Sequence, residues 1–221
     1  MILAVAATEI EMQPFLAELA GASPCLSLVA GVGPVETAVR LTRFFAGMDH
    51  PVEAVVNFGV AGAYLQLAGT SQPALLDICL AEQEVFGDFG ISLPEGIIPL
   101  DASIAGEIVY PLDGRLLEAA RSVLGAHGLA CQAGVFVTVN AATGTLRRGE
   151  MLRARWRGLC ENMEGAALAR VCREFGLPCL ELRAVSNYVE DRNPANWRLQ
   201  EACRQAARAA ALVIKGLEYE Q

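Results

Sequence analysis

Short apolar runs alternate with segments of helical spacing along this chain, and that alternation constrains the fold more than any other feature. The runs have the length of buried strands, whereas the other segments repeat apolar residues every three or four positions, as helices do. Such alternation predicts one α/β domain over residues 1–221, with a mixed, mostly parallel central sheet flanked by helices. The predicted strands are 2–7, 25–30, 54–58, 75–85, 130–139 and 179–185, and the predicted helices begin near residues 9, 34, 114, 147, 163 and 196.

Charge and cysteine content exclude several functional classes. The net charge is −8 and Lys215 is the single lysine, so the chain has no basic stripe for nucleic-acid phosphates. No apolar run approaches the roughly 20 residues that a membrane span needs. The seven cysteines form no C-x-x-C pair and there are only two histidines, which argues against a metal site or a disulfide framework. We therefore expect a cytoplasmic protein without metal, cofactor, nucleic-acid partner or membrane partner.

Polar side chains follow the predicted strands where the strands end. Glu9 and Glu11 follow the first strand, and Asn187 follows the last apolar run. The carboxyl ends of parallel strands form the edge at which open α/β sheets bind ligands. Glu164, at the start of a predicted helix, is a third acidic residue for the same edge. For Glu9, charge complementarity with the helix dipole is an equally good explanation.

Three other segments give weaker signals. Gly31 and Gly33 lie between a strand and a helix, but Glu36 stands where a dinucleotide fingerprint requires a third glycine. The arginines of segment 147–157 match a solvated helix face better than an anion site. The segment 86–99 is longer than a tight connection requires and contains aromatic residues, so we expect it to form a lid or a subunit contact.

Four blocks of sequence, in chain order, carry a resemblance to a known family. They are residues 6–11 (AATEIE), 57–62 (NFGVAG), 162–166 (NMEGA) and 183–187 (RAVSN). Their combination resembles the purine nucleoside phosphorylase and methylthioadenosine/S-adenosylhomocysteine nucleosidase family, and within it the futalosine hydrolases. The resemblance covers essentially the whole chain. It implies a nucleoside phosphorylase-like fold and hydrolysis of the N-ribosidic bond of futalosine, with release of hypoxanthine, as a step of menaquinone biosynthesis.

The resemblance also implies roles for individual residues. Glu11 would be the general base for the attacking water, and Asn187 would bind the purine. Glu164 would accept hydrogen bonds from the ribose hydroxyls, and its charge would favour the cationic sugar of an oxocarbenium-like transition state. Met163 would pack under the sugar, although a methionine without the adjacent Glu164 is more simply explained as core packing. The other expected substrate-binding residues are Val60, Ala61, Gly62, Phe136 and Ser186.

Two positions depart from the adenine-specific members of that family. Asn187 stands where those enzymes have Asp, and its amide offers two N–H donors and one acceptor. Those donors suit O6 or N7 of a 6-oxopurine such as hypoxanthine, but an amide cannot act as a general acid, so the proton donor to the purine stays unassigned. Ala142 stands where those enzymes have a Phe that stacks on the base. We expect Phe136 or another aromatic residue to replace that ring.

Water is predicted as the nucleophile in preference to phosphate. Before residue 115 the chain has only Arg40 and Arg43, both within a predicted helix, and Val60 stands where related phosphorylases commonly carry a hydroxyl. A phosphate dianion buried with so few partners would be costly. A phosphorylase and an adenine-releasing nucleosidase are the alternatives with the same fold. A non-catalytic purine-binding or dinucleotide-binding module is a further alternative, and the pair Glu11 and Glu164 argues against it.

Futalosine carries a keto-benzoate arm at its 5′ position, so its enzyme needs an apolar slot and a partner for the carboxylate. Arg192 and Arg147 are candidates by charge alone. In similar enzymes a neighbouring subunit closes the 5′ side of the site. We therefore expect a homodimer in which Phe86 and Phe89 of one subunit contact the 5′ side of the other subunit's site.

Overall fold

The computed structural model describes residues 1–19, 25–48, 51–67, 70–93 and 96–219, which form a central sheet covered by helices on both faces. The strands are β1 (Ile2–Ala6), β2 (Leu26–Val29), β3 (Ala54–Tyr64), β4 (Ile78–Phe86), β5 (Ile91–Leu93), β6 (Gly96–Ile98), β7 (Val109–Pro111), β8 (Cys131–Thr138), β9 (Gly158–Asn162) and β10 (Cys179–Val189). The α-helices are α1 (Glu9–Leu19), α2 (Pro34–Ala46), α3 (Ala102–Ala105), α4 (Gly114–Ala126), α5 (Leu146–Trp156), α6 (Gly165–Glu174) and α7 (Leu199–Tyr219).

The central sheet is mixed and mostly parallel, which confirms the predicted fold class. Strand β10 lies between β3 and β4, parallel to β3 and antiparallel to β4. Strand β9 pairs in parallel with β8 and antiparallel with β3, while β4 and β8 pair in parallel. Strands β3, β10, β4, β8 and β9 therefore form a closed ring. From this ring β1 and β2 extend in parallel beside β3, and β7 pairs with the free edge of β4.

Alternate residues of the inner strands pack into two different cores. In β1, Ile2 and Ala4 pack with α1, α4 and α7, whereas Leu3 and Val5 pack with α2 and α6. Because helices cover both faces, every position of such a strand is apolar. In β10, Leu182 packs into the α7 core, and its neighbour on the chain must point to the opposite face. That neighbour is a fully buried arginine, Arg183.

Several predicted boundaries were wrong, and tertiary pairing explains the differences. Strand β3 continues past the predicted end at residue 58 to Tyr64, because its small residues pair with both β9 and β10. Strand β10 likewise continues past residue 185 to Val189. Strand β9 was not predicted at all. It has five residues and ends in a glutamate and an asparagine, so it lacks an apolar run.

The segment predicted as a long loop contains structure of its own. Strands β5 and β6 form an antiparallel hairpin within residues 86–99, and a short helix α3 follows it. At the other end of the chain, α7 begins at Leu199 after a 3-10 turn, three residues later than predicted. In the ranges that the structure describes, no helix is both long and apolar enough to cross a bilayer.

Candidate active site

A cavity of about 360 Å³ opens at the edge where the carboxyl ends of β1, β3, β9 and β10 meet the start of α6. This is the edge at which the sequence predicted a site. Most of the predicted residues line this one cavity. They are Glu11, Val60, Ala61, Gly62, Met163, Glu164, Ser186, Asn187 and Arg192.

Glu11 lies in the first turn of α1 and its carboxylate is held by three donors. The backbone N–H and the hydroxyl of Thr8 donate to Oε2 at 3.0 and 2.8 Å, and the N–H of Val60 donates to Oε1 at 3.1 Å. The side chain is buried, yet it borders the cavity. Three donors on one side chain fix the direction of its carboxyl group. Glu11 therefore has a fixed orientation on the cavity wall.

Glu164 stands immediately before α6, and a residue far away in sequence fixes its position. The N–H of Gly33 donates to Oε1 at 3.0 Å across a separation of 131 residues. Gly33 stands immediately before α2 with a φ of 88°, a conformation that favours glycine. The Gly31-x-Gly33 turn, a weak signal in the sequence, thus supports a carboxylate of the site.

Burial raises the pKa of Glu164 above the ordinary range of a glutamate. Arg183 and the N–H of Gly33 oppose this shift, while the nearby carboxylates Glu11 and Glu181 add to it. Burial makes the ionised form of this carboxylate costly, and a positive charge that develops beside it offsets that cost. The electrostatics of the cavity therefore favour a ligand that becomes cationic.

Arg183 connects the acidic residues behind the cavity. Its Nε donates to Glu181 Oε1 at 2.8 Å, and its Nη2 forms an ion pair with Glu164 Oε2 at 3.5 Å. Burial would lower the pKa of Arg183, but Glu181, Glu164 and Glu11 outweigh that effect and raise it. The guanidinium therefore stays charged although only 1% of it is exposed.

A β-bulge aims Asn187 into the cavity. Val185 pairs with Ala61 and Asn187 pairs with Gly62, so Ser186 is an extra residue in β10. Ser186 Oγ lies 2.7 Å from Asn187 Oδ1, and Asn187 Nδ2 donates to the Tyr188 carbonyl at 3.0 Å. These contacts orient the amide and use one N–H and one of the two acceptor sites of its oxygen. The second N–H of Asn187 remains available to a ligand.

Some predicted residues lie elsewhere. Phe136 is fully buried in the core beside Cys160 and Val185 and does not border the cavity, so the expectation that it stacks on a base was wrong. Its position on an inner strand made it an ordinary core residue. Phe86, Phe89 and Arg147 also lie outside this lining.

Glu9 is exposed and accepts a hydrogen bond from Gln13, one turn further along α1, at 3.0 Å. It does not border the cavity. The acidic residue of the pair that belongs to the site is therefore Glu11. The simpler explanation of Glu9, an acid in the first turn of a helix, is sufficient.

Sequence reasoning missed several residues of the lining. Trp197 and Thr143 border the cavity from two loops, and Glu161 borders it from the end of β9. Ile10, Leu199 and Cys203 complete an apolar side. Of these residues, Trp197 could have been predicted from the sequence, since it is a large aromatic residue that follows a polar loop shortly after Asn187. Glu161 could not be assigned because β9 itself was not predicted.

The comparisons with known proteins agree with this geometry. The sequence model of the phosphorylase superfamily matches residues 11–217. A futalosine hydrolase from Thermus thermophilus is 39% identical over 85% of this chain and 80% of its own length. An aminodeoxyfutalosine nucleosidase from Helicobacter pylori strain J99 is 26% identical over 84% of this chain and 76% of its own length.

Solved structures share the fold. The native structure of futalosine hydrolase of Helicobacter pylori strain 26695 superimposes with a TM-score of 0.78 at 21% identity. The match covers 100% of this chain and 97% of that one. At this identity the likeness bears on the fold alone, and it confirms the nucleoside phosphorylase-like architecture.

Gly59 is expected to be indispensable to the packing of the two charged groups. A methyl group there would overlap Glu11 Oε1 and lie 2.7 Å from Arg183 Nη1. We expect Gly59→Ala to destabilise the protein by about 1–3 kcal/mol, as overpacking does. Gly125→Ala in α4 is the matched control, because no atom beyond its chain neighbours and the adjacent backbone of its own helix lies within 4 Å of the added carbon. Chemical denaturation of both variants measures the difference, and equal stabilities would refute the close approach.

Proposed function

We propose a function for this chain from the premise that the chain belongs to the phosphorylase superfamily. The chain is an N-glycosyl hydrolase that cleaves the N-ribosidic bond of futalosine, releases hypoxanthine and dehypoxanthine futalosine, and so serves menaquinone biosynthesis. One observation carries this proposal: Glu11, Glu164 and Asn187 line a single cavity. The 39% identity to a futalosine hydrolase supports the choice of substrate.

In the proposed mechanism, water attacks C1′ of the ribose as the bond from C1′ to the purine nitrogen breaks. Glu11 accepts the proton of that water, for which its three fixed donors hold it in one direction. The sugar passes through an oxocarbenium-like state, and the charge of Glu164 stabilises it more than it stabilises the neutral ground state. Met163, which borders the cavity beside Glu164, forms the floor under the sugar.

The charges of the cavity support water over phosphate as the nucleophile. Among the described residues of its lining, the cations are Arg183 and Arg192. Arg183 is already paired with Glu181 and Glu164. A phosphate dianion beside Glu11 and Glu164 would meet two carboxylates and no unpaired buried cation, a costly arrangement. This argues against a phosphorylase, although the superfamily carries that name.

Asn187 supports a 6-oxopurine as the leaving group. Its free N–H is a donor, which matches the O6 and N7 acceptors of hypoxanthine. An adenine-releasing enzyme would need an acceptor for the 6-amino group at the same place. The amide oxygen accepts from the Ser186 hydroxyl, and this contact holds the amide with its oxygen beside Ser186. The proposal therefore assigns Asn187 to hold the departing base by a hydrogen bond. The purine nitrogen that leaves C1′ takes a proton from solvent water, and Glu11 passes the proton that it accepted to solvent, so neutral hypoxanthine is released.

Arg192 is proposed to bind the carboxylate of the 5′ arm. It borders the cavity, its guanidinium lies 4.5 Å from the centre of the Trp197 ring, and it has no ion pair with a described carboxylate. A guanidinium stacked on an indole keeps a fixed plane, which suits a carboxylate and an aromatic ring together. Ile10, Trp197 and Leu199 supply the apolar surface for the rest of the arm.

We further propose a homodimer that covers the mouth of the cavity. Phe89 is 42% exposed, and the hairpin that follows it exposes Ile91, Leu93 and Ile98. Contiguous apolar surface of this kind is typical of subunit contacts. Phe86 packs instead on Tyr110, with ring centroids 6.0 Å apart, so its share in a contact would be small. Phe89 is therefore the main contact in the proposal.

The function is tested by liquid chromatography of futalosine incubated with the purified protein. We expect hypoxanthine release at the same rate with and without phosphate. Glu11→Gln removes the general base that accepts the proton of water, so it should lower kcat by about 10²- to 10⁴-fold. Glu9→Gln, in the same helical turn but exposed, is the matched control and should retain full activity. Release that requires phosphate, or equal activity of both variants, would contradict the proposal.

The role of Arg192 is tested by comparing futalosine, which carries the carboxylate, with inosine, which lacks it. Arg192→Gln removes one charge-assisted hydrogen bond to the substrate, which is worth about 1.5–3 kcal/mol. The KM for futalosine should therefore rise roughly tenfold or more. The KM for inosine, which lacks the arm, should not change. Arg147→Gln is the control that neutralises an arginine outside the cavity lining. An equal rise of KM for both substrates would disprove a contact with the arm.

The dimer is tested by sedimentation equilibrium. The chain has a mass of 23.5 kDa, and we expect a species of twice that mass. Phe89→Asp should dissociate it and raise KM for futalosine, because a charge at an apolar contact is costly. A fully active monomer would show that no partner subunit takes part in the site.

A further inference from the structure

We propose that Glu161 selects the base, by accepting a hydrogen bond from the N1–H of a 6-oxopurine. This inference rests on the proposed function, since it takes the cavity to be the site of a purine nucleoside. Glu161 becomes the second specificity-determining residue beside Asn187.

The strand register brings the two residues to one row of the sheet. Glu161 of β9 pairs with Gly62 of β3, and Gly62 pairs on its other side with Asn187 of β10. Directly paired residues project their side chains on the same face of a sheet. Neighbouring strands lie about 4.8 Å apart, so the backbones of Glu161 and Asn187 are separated by roughly twice that distance. Between them the row holds Gly62, and a β-carbon there would lie 3.2 Å from Asn187 Nδ2 and 2.9 Å from Val189 Cγ2, so the Asn187 amide lies over the glycine.

Glu161 retains one acceptor position for a ligand. Its Oε1 accepts from the Thr143 N–H at 2.8 Å, while its Oε2 accepts from the Thr143 hydroxyl and from the Tyr64 hydroxyl, the latter at 3.0 Å. Each carboxylate oxygen offers about two lone-pair sites. Both sites of Oε2 are therefore used, and one site of Oε1 remains. The side chain is 7% exposed and borders the cavity. The proposal assigns the remaining acceptor site of Oε1 to the ligand.

Hydrogen bonds that hold the Thr143 loop in place do not by themselves need a charged group at Glu161. It forms no ion pair with a described cation, because the nearby Arg148 pairs with Asp88 at 2.9 Å. Burial raises the pKa of Glu161, and the hydrogen bonds from Thr143 and Tyr64 and the charge of Arg148 oppose the rise. A buried carboxylate with no partner charge is costly. A ligand donor at Oε1 would offset that cost.

Glu161 and Asn187 together recognise a 6-oxopurine by its pattern of hydrogen-bond donors and acceptors. Hypoxanthine presents a donor at N1 and an acceptor at O6, which match the acceptor of Glu161 and the free N–H of Asn187. Adenine presents the opposite pattern, an acceptor at N1 and an amino donor at C6. Its N1 lone pair would face a carboxylate, and its amino group would face an N–H. Mismatch of buried polar groups is the strongest basis for rejecting an analogue of the same shape.

The test measures binding of the free bases by calorimetry, so it does not depend on turnover. We expect the protein to bind hypoxanthine on the order of 10- to 100-fold more tightly than adenine or 1-methylhypoxanthine, which lacks N1–H. In Glu161→Gln this preference should collapse, with weaker hypoxanthine binding and unchanged or tighter adenine binding. Asn187→Asp should also weaken the binding of hypoxanthine. Glu150→Gln, which neutralises an exposed glutamate outside the cavity lining, is the matched control and should keep the preference.

Each outcome decides between the two proposals. If hypoxanthine binds and Glu161→Gln weakens both bases equally, Glu161 only braces the Thr143 loop and the selector role is wrong, while the nucleosidase function stands. If the protein binds no purine base and turns over no nucleoside, both proposals are wrong. The comparison of hypoxanthine with 1-methylhypoxanthine uses the unaltered protein. Equal affinities for these two ligands would overturn the N1–H contact even if Glu161→Gln failed to fold.

Discussion

The buried charge of Arg183 is the interaction on which the site depends. Glu11, Glu164 and Glu181 converge behind the cavity, and one guanidinium with 1% exposure pairs with Glu164 and Glu181. Removing one partner of such a buried pair typically costs about 3–5 kcal/mol. Without Arg183 the pKa of Glu164 would rise further, and the cavity would lose a charge that stabilises the negative form of this residue. Stability and function therefore depend on the same ion pairs.

Burial disfavours a further negative charge at Glu84, behind this cluster. Burial raises the pKa of Glu84 well above its usual range, the Glu181 carboxylate raises it further, and hydrogen bonds from Thr138 and Asn162 only partly oppose this. Burial and the Glu181 carboxylate thus favour the neutral form of Glu84, and a proton there relieves the repulsion between the two groups. The same asparagine accepts from the N–H groups of Glu164 and Gly165 at the start of α6. The cluster and the helix that begins at the site are one hydrogen-bonded unit.

Much of the architecture could be predicted from the sequence because apolar runs and helical spacing report burial directly. Glu11, Glu164 and Asn187 were found because each follows or begins such an element, and a family resemblance gave them roles. What could not be predicted depends on contacts between distant parts of the chain. Strand β9 is held by its neighbours and not by its own residues, and the bulge at Ser186 exists only in the pairing with β3. Phe136 was misassigned because an aromatic residue on an inner strand can face either a core or a cavity, and the sequence does not distinguish them.

The position of β10 in the ring has a consequence for how the protein is made. This strand pairs with β3 and β4, yet it is the last strand along the chain. During synthesis the first strands emerge long before it, so β3 and β4 have exposed backbone edges that invite pairing with other chains. Loop closure over such a long separation is also slow. Since β10 carries both Arg183 and Asn187, the acidic cluster can be neutralised and the base site completed only in the final stage of folding, after most of the chain has left the ribosome.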